Sequence, residues 1–565
     1  MRDLALRLAL CLTLTAAGAC AAQTEPATVD AAPPPSDAGP AMVAAANPHA
    51  VEAGLEALRN GGNAIDAAIA VQSVLGLVEP QSSGLGGGSF MLYRDAQSGA
   101  ITVYDGRERA PMAADESLWL DEAGEPLPFL TAWTSGRAVG VPGVIAMLAM
   151  AHEDHGARDW GANFEFAARL ADDGFEISPR LHGLILRGAE IGPLDERADS
   201  RDYFFDADGV AHPIGYRLTN PAYAASARLI GEDWRNFYEG PLAADIVDAV
   251  QAGDSPGAMT LEDLRQYAPV RREALCRDYR GFAVCGAPPP ASGGITVNQI
   301  LGLLEPFDMA ATGPDTAEGW RRFIEASRLA YADRDAWVAA PEAMTITPDA
   351  LLDEEYIAQR STLIDRDTAI AHVSMGEGGA PGTSHFVIVD HDGNVVSMTT
   401  TVEFLFGSNR MAGGFFLNNQ LTDFNFNPLA EDGSPHPNAP GPGKTPRSSM
   451  SPTIILDEDG AFYMGVGSPG GSSIIAYVAK TIIGVIDWGL TPQDAIELPN
   501  VVGRGDVVRI EETFPTAILE ALRAMGFTLD ANRSENSGLH AVHVLPDGTL
   551  QGGADPRREG VVGEP

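Results

Sequence analysis

The chain has 565 residues, 45% hydrophobic and 20% charged, enough for one large fold or several ordinary domains with a real core. Acidic residues number 77 against 37 basic ones, a formal net charge of −40. A field of that sign repels phosphate backbones and anionic membranes, which excludes nucleic acid as a partner; it is accounted for by an acidic, solubilising surface.

The N-terminus reads as a secretion signal over residues 1–22: Met1-Arg2, an apolar run from Leu4 to Leu14 broken by Arg7, then small residues. The run is too short to span a bilayer. Cys20 after Ala17-Gly18-Ala19 resembles a lipoprotein box, so ordinary cleavage and lipidation both stay open. Either route predicts an exported protein, periplasmic or secreted, and a membrane anchor only if Cys20 is lipidated. Residues 23–40, rich in Ala and Pro, read as a disordered tether.

The folded part starts near residue 41. Val51, Leu55 and Leu58 on one face predict a helix over 48–60, ended by Gly61-Gly62. A second, mostly apolar helix over 66–77 reads as central. The loop Ser82-Ser83-Gly84-Leu85-Gly86-Gly87-Gly88-Ser89 follows a helix and precedes a strand at 90–94, and it lacks a P-loop Lys-Ser/Thr. Close backbone packing, not a phosphate cradle, is its expected role. A strand over 101–104 runs into Asp105-Gly106-Arg107-Glu108. Residues 140–356 read as mostly helical, with an apolar helix over 297–304 and a long amphipathic one over 320–337.

Cys276 and Cys285 flank a turn centred on Arg280-Gly281, which would place them opposite each other on a hairpin. In an oxidising compartment that arrangement predicts a disulfide, with two buried thiols as the alternative. Metal is not expected, since there is no CxxC pair or nearby histidine doublet.

Residues 376–382 are Gly/Pro-rich and read as an exposed approach, a natural place for a chain break. Behind them, strands at 386–389 and 395–402 around Asp392-Gly393-Asn394 form a hairpin headed by Thr383. A cut before Thr383 would give that residue a hydroxyl nucleophile and its own α-amine as base. Further on come Arg447-Ser448-Ser449-Met450-Ser451-Pro452, a hairpin at 452–465, and the glycine turn 467–472 opening a helix over 474–485. Paired strands with helices before and after suggest two sheets between helix layers.

These motifs (G-T-S-H at 382, T-T-T-V-E at 399, L-N-N-Q-L-T-D-F at 417, R-S-S-M-S-P at 447, G-S-P-G-G-S at 467) resemble the γ-glutamyltransferase (glutathione hydrolase) family of N-terminal-nucleophile hydrolases. The resemblance runs from Ala46-Asn47-Pro48-His49 to Ala554-Asp555-Pro556-Arg557. It implies an α+β fold, a four-layer αββα sandwich. It also implies self-cleavage between Gly382 and Thr383 into a large subunit (41–382) and a small one (383–565) that stay together as a heterodimer. No cofactor is implied.

Residue by residue, the resemblance makes Thr383 the nucleophile and Thr401 the hydroxyl that orients it, with Gly470 and Gly471 as the oxyanion hole. Arg107 would pair the substrate α-carboxylate, assisted by Ser448 and Ser449. Glu403, Gln420 and Asp423 would accept the α-ammonium. His385 reads as structural. The substrate would be a γ-glutamyl amide such as glutathione, and the acceptor water, an amino acid or a peptide. Loop 427–446 corresponds to a lid in some relatives but carries no aromatic residue, which predicts a more open site. Thr422 stands where many relatives have a second aspartate. Two alternatives remain: a cephalosporin or glutaryl acylase on the same scaffold, which would not need the three ammonium acceptors, and a non-catalytic descendant.

Overall fold

The structure is a computed structural model that describes residues 39–364, 369–370, 382–430, 432–531 and 537–565. The expected signal, most of the tether, and the approach up to residue 381 lie outside the described residues.

Thirteen strands build two sheets: β1 (Met42–Ala45), β2 (Gly88–Arg94), β3 (Ile101–Gly106), β4 (Val270–Glu273), β5 (Leu275–Tyr279), β6 (Phe282–Gly286), β7 (Gly382–Val389), β8 (Val395–Glu403), β9 (Thr453–Leu456), β10 (Phe462–Gly467), β11 (His540–Val544), β12 (Leu550–Ala554) and β13 (Val561–Gly563). The first sheet runs β13-β1-β7-β8-β2-β3-β4 and the second β12-β11-β10-β9-β6-β5. Residues 140–356 are largely helical as expected, but β4, β5 and β6 interrupt them and give each sheet part of an edge.

Alternation along the strands decides the layering. Phe386 and Ile388 of β7 face one cluster, with Met91, Val396 and Met398, against helices α1 (Pro48–Arg59), α2 (Ala64–Val78) and α3 (Val144–His155). Val387 and Val389 face the other way, toward Ile454, Met464 and Val466 of the second sheet. The far side of that sheet is covered by α4 (Gly293–Leu304), α5 (Ala317–Trp337) and α6 (Ile474–Ile486). The result is the expected αββα sandwich.

Helix α2 is buried along its whole length, which its apolar composition demands. Its one charge, Asp66, closes a capping box with Asn63 and accepts from Ala157 N–H and Asn163. The glycine loop is packing, as its spacing predicts: a Cβ at Gly87 would sit 2.0 Å from Thr401 O, and one at Gly86 2.3 Å from Phe416 O. Cys276 and Cys285 stand directly opposite on β5 and β6 and form a disulfide.

Candidate active site

Thr383 lies on the face of β7 that points between the sheets, two residues before His385. Antiparallel pairing sets Thr401 opposite Thr383 and Thr399 opposite His385. The period of two thus collects four polar side chains at one end of the inter-sheet gap. Thr383 Oγ1 is 3.1 Å from Thr401 Oγ1. Thr401 Oγ1 donates to Gly382 O at 2.6 Å and accepts Glu403 N–H at 2.8 Å. A register shift between Thr401 and Glu403 makes the latter bond, and Glu403 takes a positive φ of 80° there, an uncommon conformation for a side-chain-bearing residue.

Gly382 departs from the exposed approach read from its neighbours. It is buried as the first residue of β7, and a Cβ there would come within 2.7 Å of both Gln81 O and Phe404 O. The close approach of two carbonyls explains the glycine. On the far side of Thr383, buried Arg558 donates to Thr383 O at 2.8 Å and to Ser537 O at 3.1 Å. Sequence reading stopped one residue short of it, at Arg557.

His385 is buried, its Nδ1 is 2.9 Å from Thr399 Oγ1, and its ring lies against Gly467. Burial, with His540 nearby, holds its pKa well below the ordinary value, so the ring is neutral. That fits a structural role. The same contact brings the end of β10 to β7, and the turn Ser468-Pro469-Gly470-Gly471 leaves from there. Gly470 and Gly471 have φ of 141° and 55°, open to glycine and strained for other residues, and they lead through a short 3₁₀ turn into α6.

The residues expected to hold a substrate head group form a second cluster. Arg107 has a side chain only 1% exposed, whereas Asp423, its partner, is 35% exposed, so the pair opens to solvent on the Asp423 side. Arg107 Nη2 donates to Asp423 Oδ2 at 2.5 Å and to Arg447 O at 3.0 Å, and Nε to Pro446 O at 3.3 Å. Gln420 Nε2 donates to the same Asp423 oxygen at 2.7 Å. Trp119 Nε1 holds this turn from the outside through Leu421 O at 3.1 Å.

Glu403 accepts from Asn419, a residue inside the L-N-N-Q motif whose role sequence reading missed. Burial first, then the neighbouring Asp423 charge, raises the Glu403 pKa well above the ordinary value. Its carboxyl is therefore driven toward the neutral acid. Glu108, fully buried between Gly88 and Gly140, is pushed up to about 8 by burial against the opposing pull of Arg107.

Ser448 pairs with the 290–292 loop: its N–H donates to Pro290 O at 2.9 Å, and its carbonyl accepts Ser292 N–H at 2.8 Å. Its Oγ accepts Met450 N–H at 3.1 Å, and Ser449 Oγ accepts from Arg334 at 2.5 Å. The described part of loop 427–446 is tied to this cluster: Asn438 Nδ2 donates to Asp423 O, and its Oδ1 accepts Arg447 N–H. Aromatic cover does exist beside the loop, from Phe426 stacked on Trp119 at 5.0 Å with Phe129 next to it.

A threonine heading a central strand and facing the gap of an αββα sandwich defines the class of N-terminal-nucleophile hydrolases. Within that class, residues 50–564 match the gamma-glutamyltranspeptidase family, and the chain belongs to it. It is 36% identical over 535 residues to a glutathione hydrolase proenzyme of Escherichia coli, covering 91% of this chain and 90% of that one. It is 31% identical over 538 residues to an acylase ACY 1 proenzyme of a Pseudomonas species, covering 93% and 94%. Among solved structures, a cephalosporin acylase from Bacillus halodurans superposes with a TM-score of 0.82 at 29% identity, over 93% of this chain and 96% of that chain.

Proposed function

We propose that this enzyme cleaves itself between Gly382 and Thr383 and then hydrolyses or transfers γ-glutamyl groups. The charge arrangement at Arg107 and Asp423 carries the reading. A γ-glutamyl head group is a zwitterion, and here a buried guanidinium and a half-open carboxylate already face each other at 2.5 Å. Substrate would enter by exchange: its α-carboxylate takes Arg107 and its α-ammonium takes Asp423, with Gln420 and Glu403 completing the cage.

For self-cleavage, Thr383 Oγ attacks the Gly382 carbonyl carbon. Thr401 O–H, already on that oxygen at 2.6 Å, stabilises the charge that develops. The bond to nitrogen breaks, an ester forms, and water releases the Gly382 carboxylate. The freed α-amine, with an ordinary pKa of about 7.7–8.0, then serves as base near neutral pH. In turnover Thr383 Oγ attacks the γ-carbonyl, the amine leaves, and water, an amino acid or a peptide takes the acyl group from the threonine ester. Oxyanion support from Gly470 and Gly471 rests on the family pattern and on their positive-φ glycine turn, which leaves the end of the strand that packs on His385. On this reading the small subunit starts at Thr383, the two pieces remain a heterodimer, and export follows from the N-terminal signal.

The close superposition on a cephalosporin acylase keeps a glutaryl acylase as the second reading. A glutaryl group lacks the ammonium, and would leave Asp423 with the neutral Gln420 amide but no cationic partner once Arg107 was taken. Two assays test the proposal. A denaturing gel should show two fragments meeting at Thr383, and a single chain for Thr383→Ala. Hydrolysis of γ-glutamyl-p-nitroanilide should exceed that of glutaryl-p-nitroanilide; the reverse order would defeat it.

A further inference from the structure

Behind the Ser448-Ser449 loop lies a charged cluster that the reading above does not use. Arg334, in the last turn of α5, is buried, and its nitrogens go three ways: Nε to Ser292 Oγ at 2.9 Å, Nη2 to Ser449 Oγ at 2.5 Å, Nη1 to Asp335 Oδ1 at 2.6 Å. Ser292 passes the contact on, its Oγ donating to Ser448 O at 2.6 Å. Asp335 gathers two further cations, Arg504 at 3.0 Å and Arg447 at 3.4 Å. Arg447 also reaches the carbonyls of Arg334 and Val338, each at 3.1 Å, and so ties the end of α5 to the substrate loop. Although burial pushes the other way, the three guanidinium groups hold Asp335 down at about 2, so this counter-charge persists at any working pH.

The direction of these bonds has a chemical consequence. A hydroxyl has one proton and two acceptor sites, and a guanidinium can only donate. Ser449 Oγ must therefore be the acceptor toward Arg334, and Ser448 Oγ is the acceptor toward Met450 N–H. Among the described bonds, neither hydroxyl gives its proton to the protein. Both protons therefore stay available to an acceptor that is not part of the protein.

We infer that Arg334, held by Asp335 and Ser292, is a positioning residue that commits the Ser448 and Ser449 hydroxyl protons to the substrate α-carboxylate. Recognition of that carboxylate then extends from Arg107 through the loop into α5. The inference rests on the γ-glutamyl reading of the site.

The test is a double-mutant cycle on the processed enzyme with γ-glutamyl-p-nitroanilide. Arg334→Lys and Ser292→Ala should each raise KM about tenfold, the scale of a lost hydrogen bond to a charged group, with kcat kept within about twofold. On a Ser449→Ala background, Arg334→Lys should raise KM by less than about twofold more, because it acts through the hydroxyl already removed. Fully multiplicative effects, or losses confined to kcat, would overturn the inference and leave a cluster that only fastens α5. If Arg334→Lys does not yield folded enzyme, Ser292→Ala carries the same cycle. A wild-type enzyme that turns over no γ-glutamyl substrate would instead defeat the function proposed above, and this inference with it.

Discussion

Replacing Thr401 by valine keeps the shape of the side chain and removes one hydroxyl that makes three contacts. These are the bond to Gly382 O at 2.6 Å, the bond from Glu403 N–H at 2.8 Å, and the 3.1 Å approach to Thr383 Oγ1. The first lies where negative charge develops when Thr383 attacks, and loss of one such donor costs about 10²–10³ in rate, or about 2.7–4 kcal/mol. The second leaves the backbone N–H of half-buried Glu403 without its partner, at about 1–3 kcal/mol of stability. Self-cleavage followed on denaturing gels after a short pulse of synthesis should therefore slow by at least about a hundredfold, on the rate scale just given. Thr401→Ser keeps the hydroxyl and should recover most of that rate. If the valine variant matured within about threefold of wild type, the Thr401 bond to the scissile carbonyl would have no part in the chemistry, and the reasoning would fail.

Asp423→Asn removes the counter-charge of Arg107 and the charged acceptor for an ammonium. The preference for γ-glutamyl over glutaryl anilide should fall by about ten- to a hundredfold, and an unchanged ratio of kcat/KM values would show that Asp423 does not read the ammonium. Glu108 should leave a mark on stability. Its folded pKa of about 8 lies above the ordinary 4.5, so the native state holds a proton that the unfolded chain releases. Its contribution is thus full below pH 4.5 and is lost as pH rises toward 8. Thermal midpoints of Glu108→Gln should change less between pH 5 and pH 8 than those of wild type, and parallel profiles would refute this.

The pieces of this site that lie close in sequence were legible from it. Thr383 and Thr401 sit 18 residues apart on one hairpin, and alternation alone sets them face to face. The glycine loop at 82–89 was readable as packing because its order of elements was wrong for a phosphate site. The Cys276–Cys285 pair followed from a nine-residue separation around a turn. What escaped was tertiary. Nothing local shows that Asp423 meets Arg107 across 316 positions, or that Arg334 reaches Ser449 across 115. Glu403 looked like a charged acceptor, and only its burial beside Asp423 shows a carboxyl driven toward the acid form. Strands β1 and β13, four and three residues long, are too short for periodicity to separate from coil, yet β1 pairs directly with β7.

That pairing sets a condition on the history of the molecule. Strand β7 is flanked by β1 from before the proposed cut and by β8 from after it, and β13 closes the sheet beyond β1. The second sheet likewise joins β5 and β6 to four strands from the other side of the cut. Neither piece contains a whole sheet. The nick must come after folding, because only the assembled sandwich holds the hydroxyl against the bond it breaks. Once made, it erases the tether that brought the halves together. A matured enzyme that is fully unfolded should thus be unable to retrace its path, having discarded the connection that guided it the first time.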